Sequence, residues 1–408
     1  MLKGYRVLDL TDEKGSPCGK ILGDLGADVI KLERPGGDPA RRIGPFFNNI
    51  IDPEKSLHWW AFNSSKRGIT LNIEHPEGRE LFLGLCKTAH VVVESFRPGY
   101  LDTFGLGYAA LSALNPKLIM TSITPFGHTG PYKDRKASDI TLLAMSGLMS
   151  ITGYADRAPI RMCLDQTYLL GSIHGVVGTL LALRYLKSSG EGQHVDVSIY
   201  EATVRGNYWE PARWEFLHEL VKRSGNRFPR AAAKGRQLWR CKDGYVTWLL
   251  TGGVTGAKQM NALVAWMSEL NQADILKDVD WGTLHLSTIS PEQLESWETV
   301  IKGFFMNFTM DELEHAAVTR GIPMARLNRI DHVTLDEQLA DRGFWEELPV
   351  AGETQSIKYP AFPYISNEGE TRVRNRAPLI GEHNNEIFEK ELGLAKQTLL
   401  SMKERGIL

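Results

Sequence analysis

One carboxylate, Asp165, stands at the start of a long apolar stretch with helical spacing. Residues 167–186 carry leucine, isoleucine and valine at intervals that predict a single helix, and Asp165 lies just before its first turn. An aspartate in this place is most often an N-cap, because its side chain accepts hydrogen bonds from the free N–H groups of the first turn. A carboxylate is also ionised at neutral pH and acts as a nucleophile without a general base. From these residues alone both roles stay open.

Three glycines, Gly171, Gly175 and Gly178, interrupt this apolar helix. Glycine weakens a helix relative to alanine, so three of them in one helix need a structural reason. We expect the backbone of another element to approach the helix closely.

The elements around Asp165 predict a parallel α/β sheet. Residues 5–10 form a predicted strand, a glycine turn and a helix follow, and residues 27–33 form the next strand. Further strands are predicted at residues 66–72, 90–95 and 194–199, and residues 114–123 predict a passage from helix to strand. Alternating strands and helices are typical of α/β proteins, and the first unit is Rossmann-like in outline. The G-x-G-x-x-G fingerprint is missing from the first turn, which leaves NAD as a weak alternative ligand.

The loop after the second strand is a candidate ligand contact. It contains Arg34, Gly36 and Gly37, and glycines allow a ligand to approach the backbone. Arg34 is either a solvated surface cation or a group that binds this ligand.

Length and composition indicate more than one domain. A chain of 408 residues is long for one compact domain, so we expect two hydrophobic cores. The composition changes near residue 205, where aromatic residues become frequent. We place a large domain in residues 1–205, linkers and a small domain in residues 206–329, and a return to the large domain in residues 330–408.

Charge and cysteine content exclude several classes of protein. The net charge of -2 argues against a nucleic-acid binder, although a local basic pocket for a phosphorylated small molecule stays open. The four cysteines, at positions 18, 86, 163 and 241, lack metal-ligand spacing, so we expect reduced thiols and no metal. No signal peptide and no apolar run near eighteen residues is visible, so we expect a cytoplasmic protein that does not contact membranes.

Several blocks of the sequence together carry a family pattern. They are residues 4–10, 22–38, 63–67, 93–99, 190–193 and 376–383. With these blocks in this order, the chain resembles a family III CoA-transferase, the group that includes formyl-CoA transferase, carnitine CoA-transferase and, more distantly, α-methylacyl-CoA racemase. The resemblance implies a Rossmann-like large domain built from both ends of the chain with a small domain between. It also implies an interlaced dimer, either of two identical chains or with a related subunit.

The resemblance also implies a set of site residues. Asp165 matches the family's catalytic aspartate, and Asp139 matches a second active-site carboxylate. Arg34 matches an arginine beside the adenine of coenzyme A. Further positions that match CoA contacts are Leu71, Ser95 and Lys136.

The chain departs from the family pattern in three places. Ser95 replaces an asparagine, and Thr103 stands where some members have a basic residue, whose charge we expect Arg97 to replace. The glycine-rich active-site loop of formyl-CoA transferase has no counterpart, and residues 231–237 stand near its place. This last departure argues against a substrate as small as oxalate.

By resemblance, the chemistry is transfer of CoA between a donor acyl-CoA and a free organic acid. Asp165 attacks the thioester, and an aspartyl anhydride and an aspartyl-CoA thioester follow. Oxyanion donors would come from the helix N-terminus at Asp165 or from the loop with Gly127 and Gly130. The most similar branch takes CoA from succinyl-CoA to arylsuccinates such as benzylsuccinate, with other dicarboxylates and carnitine-type acids as rivals.

Two alternatives remain at this point. An acyl-CoA racemase needs a base, usually a histidine, and the racemase pattern has one directly before the Asp-Ile pair where this chain has Ser138. The available histidines are His128, in a loop, and His174, on the apolar helix. The other alternative is a non-catalytic CoA-binding subunit of a heteromeric transferase, against which the presence of Asp165 argues.

Overall fold

The computed structural model describes residues 1–230 and 233–408. The chain forms two compact units. The larger unit consists of Met1–Leu148, Arg161–His218 and Glu337–Leu408, and the smaller of Met149–Ile160 and Glu219–Asp336. The division into domains at residues 205 and 329 stays a prediction.

A six-stranded parallel sheet forms the centre of the larger unit, as the alternating pattern predicts. Its strands are β1 (Arg6–Leu10), β2 (Asp28–Glu33), β3 (Arg67–Thr70), β4 (Val91–Glu94), β5 (Ile119–Thr124) and β6 (His194–Ser198). They lie in the order β3-β2-β1-β4-β5-β6, and every neighbouring pair is parallel. This is the strand order of a Rossmann-type sheet. The α/β fold with a Rossmann-like sheet is therefore confirmed.

Both faces of this sheet are covered. Successive side chains of a strand point to opposite faces, and the two faces belong to different apolar clusters. Leu8 and Val92 lie in one cluster together with Phe388 from the end of the chain. Val7 and Val93 lie in the other, together with apolar side chains of the helix that follows Asp165. Strands that are buried on both faces explain the nearly continuous apolar runs in the sequence.

The part of the chain that the structure describes contains fifteen α-helices. They are α1 (Ser16–Asp24), α2 (Leu57–Asn63), α3 (Pro76–Cys86), α4 (Tyr108–Leu114), α5 (Asp139–Met145), α6 (Leu148–Ile151), α7 (Gln166–Ser189), α8 (Ile199–Arg205), α9 (Trp209–Leu217), α10 (Gly253–Glu269), α11 (Pro291–Phe305), α12 (Met310–Arg320), α13 (Ile330–Val333), α14 (Glu337–Asp341) and α15 (Lys396–Glu404). A π-helical segment, Asn385–Glu391, precedes α15.

Helix α7 is the predicted apolar helix, and its glycines allow close packing. A Cβ atom would meet Ile199 at 2.7 Å from Gly171, Ile123 at 2.8 Å from Gly175, and Val195 at 2.7 Å from Gly178. The approaching groups are therefore side chains of β5, β6 and α8, and the expectation of a neighbouring backbone is wrong.

By length and composition, α7 could cross a membrane, and it is the one helix among the described residues that passes this test. This corrects the expectation that no apolar stretch has that length. Core helices of soluble proteins pass the same test, and one face of α7 packs on the sheet. There Thr179 and Thr121 share a buried hydrogen bond of 2.7 Å.

The smaller unit has its own aromatic core, which includes Trp239, Trp248 and Phe305. Its strands are β7 (Arg227–Arg230), β8 (Ala233–Arg236), β9 (Leu238–Arg240), β10 (Tyr245–Thr247) and β11 (Ala325–Arg326). Two further strands, β12 (Trp345–Pro349) and β13 (Ser356–Pro360), belong to the last segment of the larger unit. Strands β9, β10 and β11 form an antiparallel sheet, and β7 pairs with β8. Ala231 and Ala232, which begin the stretch near the expected glycine-rich loop, lie outside the described residues.

Candidate active site

The strand order places a ligand-binding crevice at the carboxyl ends of β1 and β4. Strand β1 is followed along the chain by β2 on one side, and β4 is followed by β5 on the other side, so the loops after β1 and β4 run in opposite directions. In open parallel sheets, ligands bind where the strand order reverses in this way.

Ser95 joins the two loops at the crevice. Its Oγ donates to Asp12 Oδ1 at 2.7 Å and accepts from the Asp12 N–H at 2.8 Å. A hydroxyl both donates and accepts, which suits this double contact. The serine in place of the family's asparagine thus has a structural function at the centre of the crevice.

Arg34 follows β2 on one side of the crevice and is largely solvent-accessible, with 65% of its side chain exposed. Its Nη2 donates to Glu74 Oε1 at 2.9 Å and to Tyr100 Oη at 3.0 Å. The Tyr100 ring stacks on Phe96 with ring centres 4.7 Å apart. Arg34 is therefore held in place while most of its surface stays open to a ligand.

A buried ion pair supports the loop that carries Arg34. Arg41 donates to both carboxylate oxygens of Glu33, at 2.6 and 2.7 Å, and both side chains are almost fully buried. Glu33 also accepts from the Asp38 N–H at 2.8 Å. Between these contacts, Gly36 and Gly37 have φ values of +89° and +95°, a conformation that favours glycine. The loop is therefore fixed at both ends.

Asp139 and Asp165 are brought together by Arg161. Nε and Nη2 of Arg161 both lie 3.1 Å from Asp139 Oδ2, and Nη2 donates to Asp165 Oδ1 at 2.8 Å. Asp139 is buried, and its Oδ1 accepts from the backbone N–H and the hydroxyl of Thr167, each at 2.9 Å. Two carboxylates and one guanidinium thus form a connected cluster at the start of α7.

Asp165 does not cap α7. It occupies the N-cap position, but its side chain accepts no hydrogen bond from the helix. Asp139 accepts from the Thr167 N–H instead. The Asp165 side chain is 40% exposed, and Oδ2 has no hydrogen-bond partner within residues 1–230 and 233–408. The capping interpretation of Asp165 is therefore wrong, and one of its oxygens is available for chemistry.

Helix α7 is tied to the crevice about two turns after Asp165. Ser172 Oγ donates to the carbonyl oxygen of Lys14, in the loop after β1, at 3.2 Å. Between these points, burial raises the pKa of Tyr168 to about 12, and the charges of Glu13 and Asp165 add to the effect. The Tyr168 phenol is therefore neutral at physiological pH.

The remaining predicted CoA contacts make no hydrogen bond or ion pair with the carboxylate cluster in residues 1–230 and 233–408. Leu71 is buried after β3 and donates its N–H to the carbonyl oxygen of Glu33 at 2.7 Å. Lys136 is exposed in the loop before α5. Arg97 is exposed and lines a cavity of about 180 Å³ together with His128 and His194.

The two histidines considered as a racemase base, His128 and His174, do not pair with the carboxylate cluster. His128 lies in the Arg97 cavity, where Glu94, whose Oε1 is 3.7 Å from Nε2, raises the pKa of its imidazole. His174 Nδ1 lies 3.0 Å from the carbonyl oxygen of Leu170 on α7. In the described part of the chain, neither histidine makes a hydrogen bond or ion pair with Asp139 or Asp165.

Sequence reasoning missed Arg161 and His58 as site residues. Arg161 precedes Asp165 by four residues in a segment without helical spacing, so no periodic signal connects the two. Burial lowers the pKa of His58, and the charges of Asp165 and Asp38 partly oppose this. Its Nδ1 is buried and has no hydrogen-bond partner among the described residues. The proximity of His58 to Asp165 arises from tertiary structure alone.

Comparison with known proteins identifies the family. The family model described as "CoA-transferase family III" matches residues 2–384. The chain is 34% identical to the succinyl-CoA:(R)-benzylsuccinate CoA-transferase subunit BbsE of Thauera aromatica, with 94% of this chain and 92% of that one covered. It is 30% identical to the succinyl-CoA–D-citramalate CoA-transferase of Chloroflexus aurantiacus, with 100% and 98% covered. The crystal structure of a CAIB/BAIF family protein from Brucella suis superposes with a TM-score of 0.82 at 27% identity, over 95% of this chain and 98% of that one. The chain belongs to the family III CoA-transferases and is an enzyme of that class.

Proposed function

We propose that this protein transfers CoA from succinyl-CoA to a second dicarboxylic acid. Two relatives are named for succinyl-CoA as donor, and their acceptors, benzylsuccinate and citramalate, are both dicarboxylic acids. The observation that carries the proposal is the half-exposed carboxylate of Asp165, with Oδ2 open, beside the crevice of a Rossmann-like sheet.

In the proposed mechanism Asp165 is the covalent nucleophile. Its carboxylate attacks the thioester carbonyl of succinyl-CoA, and the CoA thiolate leaves to give a mixed anhydride. The thiolate then attacks the aspartyl carbonyl, releases succinate and forms an aspartyl-CoA thioester. The acceptor carboxylate repeats the two steps in reverse order, so the thioester bond is conserved and no external energy source enters.

The protein's own groups would hold CoA along the crevice. Arg34 and Lys136 would contact the adenine and phosphate end, Leu71 and Ser95 would line the path, and Arg97 would supply the charge that Thr103 lacks. Arg34 is open and held by two partners, which supports this assignment.

The hydrogen-bond pattern narrows the choice of oxyanion donors. The Gly127 N–H already donates to Thr124 Oγ at 2.9 Å, and the Thr167 N–H donates to Asp139. The N–H of Gly130 has no partner in the described ranges, and Gly130 has a φ of +85°. We therefore favour Gly130 over Gly127 as a donor to the tetrahedral intermediate.

Assembly as an interlaced dimer in the cytoplasm is part of the proposal. Large apolar side chains on α9 are exposed in the single chain, among them Trp209 (79%) and Phe216 (85%). On α7, Ile173, Val177 and Leu181 form an exposed apolar stripe at four-residue spacing. Surfaces of this kind indicate a partner chain.

A second candidate function is a non-catalytic subunit of a heteromeric transferase. Asp165 Oδ1 is already paired with Arg161 at 2.8 Å, and one relative is named as a subunit. A carboxylate that stays in an ion pair is a weaker nucleophile. In this case the chain would bind CoA esters without turning them over.

Trapping of the covalent intermediate separates the two candidates. Incubation with succinyl-CoA and hydroxylamine should place a hydroxamate on the peptide that contains Asp165. Asp165→Asn should lose turnover by several orders of magnitude, as removal of a covalent nucleophile does, and stay folded. The matched control is Asp156→Asn in an exposed position nearby in sequence. Wild-type turnover in Asp165→Asn, or a chain that binds succinyl-CoA but forms no adduct, would refute the role of Asp165.

A further inference from the structure

Arg161 holds its two carboxylate partners with unequal strength. Asp139 is buried and is itself fixed by two hydrogen bonds from Thr167, so its contact with Arg161 lies in a rigid setting. Asp165 and Arg161 are 40% and 42% exposed, and their ion pair is in contact with water. Exposed ion pairs contribute little net free energy. The contact with Asp165 is therefore the one that opens easily.

The guanidinium also has unused donors. Nε and Nη2 account for every contact that Arg161 makes within the described residues, which leaves Nη1 without a partner. Arginine recognises carboxylates through two parallel N–H groups. Nη1, together with Nη2 once Asp165 is released, presents such a pair on the exposed side of the cluster.

We propose that Arg161 recognises the second carboxylate of a dicarboxylic substrate and takes it as a partner in place of Asp165. The proposal rests on the proposed function and names the residue that selects its substrate class. Substrate binding then frees Asp165 Oδ1, so that the nucleophile is released from its ion pair only when a dicarboxylate is present. A monocarboxylate leaves the pair closed.

The dimensions suit a short diacid. The carboxyl carbons of an extended four-carbon diacid lie about 4 Å apart, from standard bond lengths and angles. Arg161 Nη2 is 2.8 Å from Asp165 Oδ1. A substrate carboxylate bound to the guanidinium would have its oxygens about 2.8 Å from the guanidinium nitrogens. A diacid held by Arg161 at one end therefore brings its other carboxyl group within reach of Asp165. Asp139 keeps the guanidinium in place during the exchange.

Calorimetric titration of the full-length protein with succinate and with butyrate tests the proposal without need for turnover. Wild type should bind succinate about tenfold or more tightly than butyrate, as expected for one charged hydrogen-bonded contact. Arg161→Gln should abolish this preference, and Arg161→Lys should retain part of it, because lysine keeps the charge without the fork. Arg342→Gln, an exposed arginine outside the cluster, is the matched control and should behave as wild type.

Asp165→Asn should change the affinity for succinate in the opposite direction to Arg161→Gln. It removes the competing partner, so succinate should bind severalfold more tightly, and in the Arg161→Gln background the same change should give no gain. The proposal is overturned if wild type shows no preference for succinate, if Arg161→Gln keeps the preference, or if Asp165→Asn gives no gain. If the wild-type protein prefers succinate over butyrate but does not turn over succinyl-CoA, the proposed function is refuted and the role of Arg161 is retained.

Discussion

Lys66 and Asp9 form an ion pair inside the protein, with Nζ donating to Oδ2 at 2.7 Å and both side chains fully buried. Nζ also donates to the carbonyl oxygen of Ser16 and to Asn63 Oδ1, each at 2.9 Å. All three ammonium protons are therefore used. Burial alone would raise the pKa of Asp9, but Lys66 and Lys31 hold it below its ordinary value.

This pair predicts a large loss of stability in Asp9→Asn. Removal of one charge leaves Lys66 buried without its counter-ion, which costs about 3–5 kcal/mol. Urea unfolding followed by circular dichroism measures the difference. Asp331→Asn, which changes a solvent-exposed carboxylate, is the control and should unfold close to wild type. Equal midpoints for Asp9→Asn and wild type would contradict the prediction.

The same pair predicts how stability depends on pH. Because the folded pKa of Asp9 is lowered, its contribution is present above the unfolded value of about 4. It is lost as the pH falls from there through the lower folded pKa. The difference in unfolding free energy between wild type and Asp9→Asn should therefore be constant from pH 7 to pH 5 and shrink below pH 4. If the difference in unfolding free energy between wild type and Asp9→Asn grew as the pH fell, the prediction would be contradicted.

Arg34 should matter for binding of CoA esters. Arg34→Ala removes a charged contact and should raise KM for succinyl-CoA by about tenfold, with a smaller change in kcat. Glu74→Gln removes the charge that supports Arg34 and Tyr100 but keeps Arg34 itself, and should have a smaller effect. Lys136→Ala tests the other basic residue assigned to this end of CoA. Unchanged KM values in both Arg34→Ala and Lys136→Ala would refute the assignment.

Ser95→Ala should loosen the centre of the crevice. It removes the acceptor of the Asp12 N–H and one of the two donors to Asp12 Oδ1, which keeps its contact with the Lys14 N–H at 3.1 Å. Because the Asp12 side chain is partly exposed, we expect a loss of about 1 kcal/mol in unfolding free energy. Ser112→Ala, a partly exposed serine that bonds only to its own helix, is the matched control. Thermal unfolding measures both variants. A Ser95→Ala protein as stable as Ser112→Ala would show that the Asp12 contact contributes nothing.

The exposed apolar faces predict that the folded protein is not a monomer. An interlaced dimer would bury far more than a standard interface, so dilution should give no folded, active monomer. Light scattering combined with an activity assay over a range of concentrations tests this. Trp209→Ser with Phe216→Ser should lower the yield of the assembled protein, and an active monomer would overturn the prediction.

The fold was predictable from the sequence to the level of strands and their order of appearance, because each buried strand is a short apolar run. The carboxylate cluster was predictable only in part. Asp139 and Asp165 were found by resemblance, but the residue that joins them, Arg161, gives no periodic signal. Two partners of Lys66, Asp9 and Ser16, lie 57 and 50 residues away in sequence, and such long-range pairings are set by the three-dimensional packing of the chain.

The discontinuous larger unit has a consequence for the order of folding. Phe388, Leu399 and Met402 complete the apolar cluster on one face of the sheet, yet they are synthesised after the whole smaller unit. During translation, the apolar cluster around Leu8, Ile30 and Val92 therefore stays incomplete until residues 388–402 have left the ribosome. The smaller unit, most of which is one continuous stretch, can fold in the meantime. Protection of the sheet from hydrogen exchange should accordingly appear later in synthesis than protection of the middle of the chain.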